Sequence, residues 1–221
     1  MASDTNSSVM TDLVTTTADG TATVSFVPSA DGLWYPLRVR KQDPMQVRDV
    51  LIGHGIYAYI AQTYRRRNLQ GQQEMRLKNI LPGMLFAYLS AQDFENIFRN
   101  RDDDPQSLYS QLSSVSYCYD PSRKTTGGKP LPLTVPDDDM QSFILATATH
   151  DEHIDVLPDY WQPKEQMEAA MVIRGKFKGV RGKMKVNPSG LKYMVVTLPH
   201  LVSIRLPHIH TRCVKYLSDD E

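Results

Sequence analysis

Val172-Ile173-Arg174-Gly175-Lys176-Phe177-Lys178-Gly179-Val180-Arg181-Gly182 is the stretch on which the fold turns. Its glycines, Gly175, Gly179 and Gly182, stand where a tight turn needs positive φ or a backbone must come close to a neighbour. Between them lie Lys176, Phe177, Lys178 and Arg181. Such a loop anchors itself through its ring and holds its cations toward phosphate or an acidic surface. It is not a phosphate-binding P-loop, which needs Gly-Lys-Ser/Thr opening a helix. Here Lys183 is followed by Met184 and an alternating strand pattern.

Outward from the loop, short β stretches are expected at Met171 to Arg174, Val180 to Val186, Leu191 to Leu198 and Leu201 to Leu206. Asn187-Pro188-Ser189-Gly190 and Pro199-His200 supply the turns, which predicts a barrel of SH3 type with at most five strands over residues 167–217. Upstream, residues 156–166 carry Pro158 and Pro163 and read as a linker.

Residues 33–155 have the pattern of an α/β sandwich. Tyr35, Leu37 and Val39 alternate with Trp34, Arg38 and Arg40, a strand with one apolar face in which Pro36 calls for a bulge or a local edge. Asp43-Pro44 is an N-cap and first-turn proline, and Val47, Val50, Leu51 and His54 follow at helical spacing until Gly53 and Gly55. A hairpin is expected from Ile56 to Ile80, with Arg65-Arg66-Arg67 in a basic tip. Leu81-Pro82-Gly83 turns into Met84 to Leu89, apolar on both faces and therefore a central strand. Ser90 and Asp93 form a capping box, with Phe94, Ile97 and Phe98 on one helical face. Val115 to Tyr119 is a strand and 121–133 a loop. Thr134 and Asp137 then open a helix that buries Met140, Phe143, Ile144 and Thr147.

Residues 1–32 hold Asp4, Asp12, Asp19 and Asp31 with no Lys or Arg and few large apolar groups, the composition of a flexible tail. Within it, Ala22 to Val27 has the pattern of an edge strand. Lys+Arg and Asp+Glu each total 25, so net charge names no partner. Residues 164–215, however, hold eleven Lys/Arg against Glu165 and Glu168, which favours a polyanionic or acidic partner for that part. Cys118 and Cys213 are too few for a disulfide framework or a metal site and suit a reduced compartment. With no apolar run of membrane-spanning length and no signal-like N-terminus, a cytoplasmic protein is expected. His208, His210 and Cys213 lack a fourth ligand and read as ordinary surface or packing groups. His150-Asp151-Glu152-His153 has the wrong spacing for a zincin, so neither a metal, a cofactor nor an enzymatic role is expected.

The order of these pieces resembles the NusG family of transcription elongation factors. Leu33-Trp34-Tyr35, a helix, a basic hairpin, Leu81-Pro82-Gly83-Met84-Leu85-Phe86 and, after a linker, a KOW-like loop follow one another as in that family. Pro130 to Pro136 resembles the stretch before the last N-terminal helix of UpxY-like antiterminators of Bacteroides-type bacteria. The resemblance implies an α+β chain with an N-terminal NGN domain, a ferredoxin-like sheet with helices, followed by a small SH3-like KOW barrel. It also implies a non-enzymatic factor that binds the clamp helices of RNA polymerase and raises processivity, while the KOW barrel recruits a ribosomal protein, a termination factor or nucleic acid.

By the same resemblance Trp34, Arg38, Met84, Phe86 and Tyr117 are polymerase-binding candidates. Arg40, Lys41, Arg65, Arg66 and Arg67 are candidates for non-template or upstream DNA, and Gly175, Lys176, Phe177, Lys178, Gly179, Arg181 and Gly182 make the KOW loop. Three departures stand out: Met84 replaces an aromatic ring, Pro36 sits inside the first strand, and Met167-Glu168 occupies the usual Gly-Asp barrel entry. The competing expectation is a KOW-type RNA-binding module that acts on ribosomal or leader RNA without polymerase.

Overall fold

The computed structural model describes residues 13–18, 20–69, 72–100, 104–158, 167–186 and 192–217. Most of the expected linker, residues 159–166, lies outside them, as do residues 1–12 and the turn expected at 187–190.

The segment expected as a tail is partly paired: β1 (Val14–Thr16) and β2 (Ala22–Val24) form an antiparallel hairpin. β3 (Leu33–Val39) follows, then α1 (Pro44–Gly53), where the Asp43 carboxylate accepts from the Met45 amide at 3.0 Å. β4 (Ala58–Tyr59) is a short edge strand, and β5 (Gln62–Leu69) with β6 (Gln72–Asn79) makes a two-stranded ribbon. β7 (Met84–Leu89) leads into α2 (Ala91–Phe98), whose Ser90–Asp93 capping box is formed as the spacing requires. A short α3 (Leu108–Gln111) precedes β8 (Val115–Tyr117). The four-stranded sheet has the order β4-β7-β3-β8, all antiparallel.

Pro36 sits inside this sheet without a bulge on its β7 side, where the register runs unbroken from Leu33↔Leu89 to Arg38↔Met84. The proline lacks the amide that would bond Cys118 O, and the β3–β8 ladder stops at Leu37↔Tyr117. Cys118 O instead accepts from the Leu133 amide at 2.8 Å, while Pro36 O still accepts from the Cys118 amide. The missing donor is thus replaced by a loop residue, and the local edge expected from sequence is covered.

The stretch expected as a loop at 121–133 contains a second small hairpin, β9 (Tyr119–Lys124) with β10 (Pro130–Pro132). α4 (Asp137–Thr147) begins after Pro136 with no side-chain cap, so Thr134 does not open it. β11 (Asp155–Val156), β12 (Glu168–Val172), β13 (Arg181–Val186), β14 (Lys192–Leu198), β15 (Val202–Arg205) and β16 (Val214–Tyr216) form one sheet in the order β11-β15-β14-β13-β12-β16. Among the described residues β11 and β16 remain its two ends, so the pairing does not close into the expected barrel.

Two apolar clusters organise the molecule. Leu37, Val39, Leu85, Ala87 and Leu89 face α1 and α2, packing on Val47, Leu51, Phe94 and Ile97. Trp34, Phe86 and Tyr88 face the other way and join a cluster that runs through α4 into Ala170, Val172, Met194 and Val196 of the six-stranded sheet. β3 is therefore apolar on both faces rather than one. α4 buries Ser142, Leu145 and Ala146 besides the four positions expected, because it is packed between two sheets.

Candidate functional site

Cross-strand register places the sheet candidates. Trp34↔Tyr88, Pro36↔Phe86 and Arg38↔Met84 are direct partners, so Trp34, Arg38, Met84 and Phe86 share one face. Tyr117 is opposite Leu37, which puts it on the other face, where its ring packs 5.0 Å from Phe94 and 5.1 Å from Phe98. Parity along one strand could not reveal this, since it depends on the register between strands. Trp34 and Phe86 are each 1% exposed. The Phe86 ring lies 5.5 Å from Phe143 of α4, and Trp34 lies 5.2 Å from Phe26. Exposed Arg38 and half-buried Met84 remain at the surface of that face. Arg40 and Lys41, just past β3, are exposed and form no ion pair among the described residues.

Arg65, Arg66 and Arg67 are not at the expected hairpin tip but lie within β5, and residues 70–71 lie outside the described residues. Eight paired residues on each strand extend the ribbon past the arginines. Arg65 donates to the carbonyls of Glu152 and Ile154 at 2.8 and 2.7 Å, and Arg66 pairs with the Glu152 carboxylate at 2.9 Å. That bond holds the Glu152 carboxyl below the ordinary range. Arg67 is exposed opposite Glu74, and Lys78 is exposed on the same ribbon face. The other face shows Tyr64, Leu77 and Met75, between 41% and 45% exposed.

His150-Asp151-Glu152-His153 braces the ribbon against the glycine-rich loop. His150 O accepts from the Tyr64 amide at 3.0 Å, Thr63 Oγ1 donates to Asp151 O, and the Asp151 carboxylate pairs with Lys176. Burial alone would raise the Asp151 carboxyl; hydrogen bonds from Lys176 and from the His153 amide outweigh it and hold it below the ordinary range. Among the described residues no three His, Cys, Asp or Glu side chains are grouped to hold a metal. His208 and His210 are exposed, and His210 caps a short 3₁₀ turn by accepting from the Arg212 amide at 3.2 Å.

The loop between β12 and β13 folds back on itself: the Lys178 amide bonds Gly175 O at 2.9 Å and the Gly179 amide bonds Val172 O at 2.7 Å. Gly175 and Gly179 have φ of 86° and 89°, and Phe177 is 4% exposed, so ring and glycines shape the loop. Gly182 lies in β13, where a Cβ would stand 2.5 Å from Val195 O. The loop rests on α4: a Cβ at Gly179 would lie 3.2 Å from Leu145 Cδ1, and the Arg181 amide donates to Ser142 Oγ at 3.2 Å. Lys178 and Arg181 are exposed, whereas Lys176 is engaged by Asp151. A groove of about 570 Å³ between α4 and the six-stranded sheet is lined by Asp138, Asp139, Arg181 and Lys183 among others.

These features define a mixed α/β protein with few helices and several antiparallel sheets. No helix among the described residues is long and apolar enough to cross a membrane. No family model matches the chain, and no curated protein matches it. Similar solved structures include one on domain interaction in Thermotoga maritima NusG, at 15% identity and TM-score 0.34, covering 85% of this chain and 98% of that one. Another is the MjSpt4:Spt5 complex in conformation B, at 12% identity and TM-score 0.25, covering 84% of this chain and 97% of that one.

Proposed function

We propose that the chain is a transcription elongation or antitermination factor of the NusG type, with residues 33–155 as the NGN unit that binds RNA polymerase and residues 167–217 as the KOW unit. The observation that carries this reading is the loop at 173–180, whose buried Phe177 and positive-φ Gly175 and Gly179 build a turn that keeps Lys178 outward. It follows, in chain order, the four-stranded sheet and the Leu81-Pro82-Gly83 turn that the resemblance to the family requires.

In this reading Arg38 and Met84 are the accessible polymerase contacts, while Trp34 and Phe86 support them from below. Arg40, Lys41, Arg67 and Lys78 face non-template or upstream DNA. The KOW unit recruits a further protein or nucleic acid through Lys178 and Arg181. Specialisation toward the UpxY-like antiterminators is supported by Met84 at the family's aromatic position and by the Pro130 to Pro136 stretch.

The test is binding of the full chain to the isolated clamp helices of a polymerase at low salt. Binding that Arg38→Glu and Met84→Glu each weaken about tenfold or more would support the proposal, since truncated hot spots cost roughly 2 kcal/mol or more. No binding overturns it. Exposed Arg174, Lys178 and Arg181 favour the alternative, RNA binding without polymerase. A steep salt dependence for leader RNA with no clamp-helix binding would select it.

A further inference from the structure

Between β2 and β3 the chain crosses the sheet face that carries Trp34 and Tyr88 as a strap with almost no backbone ladder. Its Phe26 ring lies 5.2 Å from Trp34, 5.4 Å from Tyr57 and 4.7 Å from Tyr88, edge-on to both tyrosines. Ser29 closes the strap: its amide donates to Tyr88 Oη, and Tyr88 Oη donates to its carbonyl, both at 3.0 Å. Gly32 passes so close that a Cβ there would collide with the Tyr88 ring at 2.2 Å. Val27 is 75% exposed, and Pro28, Ala30 and Asp31 are exposed as well. One ring and one hydroxyl therefore hold a segment whose other side chains face solvent.

We propose that Trp34, Tyr57 and Tyr88 form a socket for a single aromatic side chain, that Phe26 fills it in cis, and that a protein partner bearing an exposed aromatic anchor displaces residues 25–29. Three rings converging on a fourth are what a desolvated aromatic anchor requires. A tethered Phe26 competes at the high effective concentration that a short linker sets, so the socket opens only to a partner presenting a ring of its own. The socket is continuous with Arg38 and Met84 along the cross-strand rows, so its assignment to a polymerase-facing partner rests on the proposed function. The socket itself does not.

The experiment uses the full chain and a labelled peptide of residues 22–30, Ala-Thr-Val-Ser-Phe-Val-Pro-Ser-Ala. Phe26→Ala is expected to bind the peptide about tenfold or more tighter than the wild type, because a filled socket lowers apparent affinity by the fraction of time it is free. The same peptide with alanine for phenylalanine is expected not to bind. Equal or absent peptide binding by a folded Phe26→Ala chain overturns the proposal.

If Phe26→Ala does not fold, hydrogen exchange in the wild type decides. The Ser29 amide is expected to exchange about a hundredfold faster than the Tyr88 amide, which bonds Tyr57 O. Equal protection overturns a displaceable strap. Adding clamp helices separates the two readings: peptide binding without any effect of Phe26→Ala on clamp-helix affinity keeps the socket and removes polymerase as its partner.

Discussion

Arg65 stands directly opposite Arg76 across the β5–β6 ribbon. Like charges in facing positions destabilise a strand pair, by up to about 1 kcal/mol. Arg65 is partly compensated by the Glu152 and Ile154 carbonyls, and Arg76 by Glu74 at 2.9 Å. Arg76→Thr is therefore expected to raise stability by about 0.5 kcal/mol in urea unfolding. If the ribbon contacts duplex DNA, the same change weakens binding across all sequences and reduces the salt slope by about one, as loss of one phosphate contact does.

The Lys176–Asp151 pair joins the glycine-rich loop to the ribbon's brace, so it couples the two sheets' surroundings. Lys176→Met keeps an apolar stem over the Phe177 ring but removes the charge, and is expected to cost about 1 kcal/mol at neutral pH. Asp151 has a depressed carboxyl, so its contribution is full above the unfolded value of about 4 and is lost as pH falls through the lower folded value. The stability difference between wild type and Lys176→Met should thus shrink below about pH 4 in thermal unfolding followed across pH.

Asp139 has the opposite sign. Burial first, and repulsion from Asp138 second, hold its carboxyl above the ordinary range in the folded chain. Wild-type stability therefore gains from this group as pH falls through the raised folded value toward the unfolded one near about 4. Asp139→Asn removes the half-buried charge while keeping the shape. It is expected to raise the melting temperature at pH 7 and to leave it unchanged once the wild-type carboxyl is protonated. A variant less stable at pH 7 would contradict that assignment.

Gly175 and Gly182 belong to the same run in the sequence but are needed for different reasons. Gly175 has φ of 86° with open space around it, so Gly175→Ala costs about 1–2 kcal/mol of backbone strain, and Gly175→Asn recovers part of it. Gly182 is extended, and any Cβ meets Val195 O at 2.5 Å. Gly182→Ala and Gly182→Asn are both expected to cost about 1–3 kcal/mol, because the strands must separate. Urea midpoints of the four variants distinguish the two roles.

Local chemistry made much of this legible in the sequence. Asp43-Pro44, the Ser90–Asp93 box, the alternation of β3 and the continuous apolar run of β7 are short-range signals, and each produced the element it implies. What was hidden depends on contacts far apart in the chain. Tyr117 faces away from Met84 because of inter-strand register, and Arg65 bonds carbonyls 87 and 89 residues away. The strap at Phe26 was masked by a Ser- and Thr-rich composition, although a lone aromatic ring there was a signal of packing.

The unbroken apolar run Phe143-Ile144-Leu145-Ala146 lies in the half of α4, Ser142 to Thr147, that is covered on every side, whereas Asp138 and Gln141 nearer its start are exposed. Phe143 faces the Phe86 side and Leu145 the Gly179 side, so α4 is core to both sheets at once. Leu145→Ala is then expected to cost about 2–5 kcal/mol, as for any buried leucine. If the helix couples the sheets, the loss appears equally in the exchange of β7 and β14 amides, with a single transition in urea. Separate transitions, with β7 unaffected by Leu145→Ala, would mean that the two sheets unfold independently and that α4 is tied energetically to the six-stranded sheet alone.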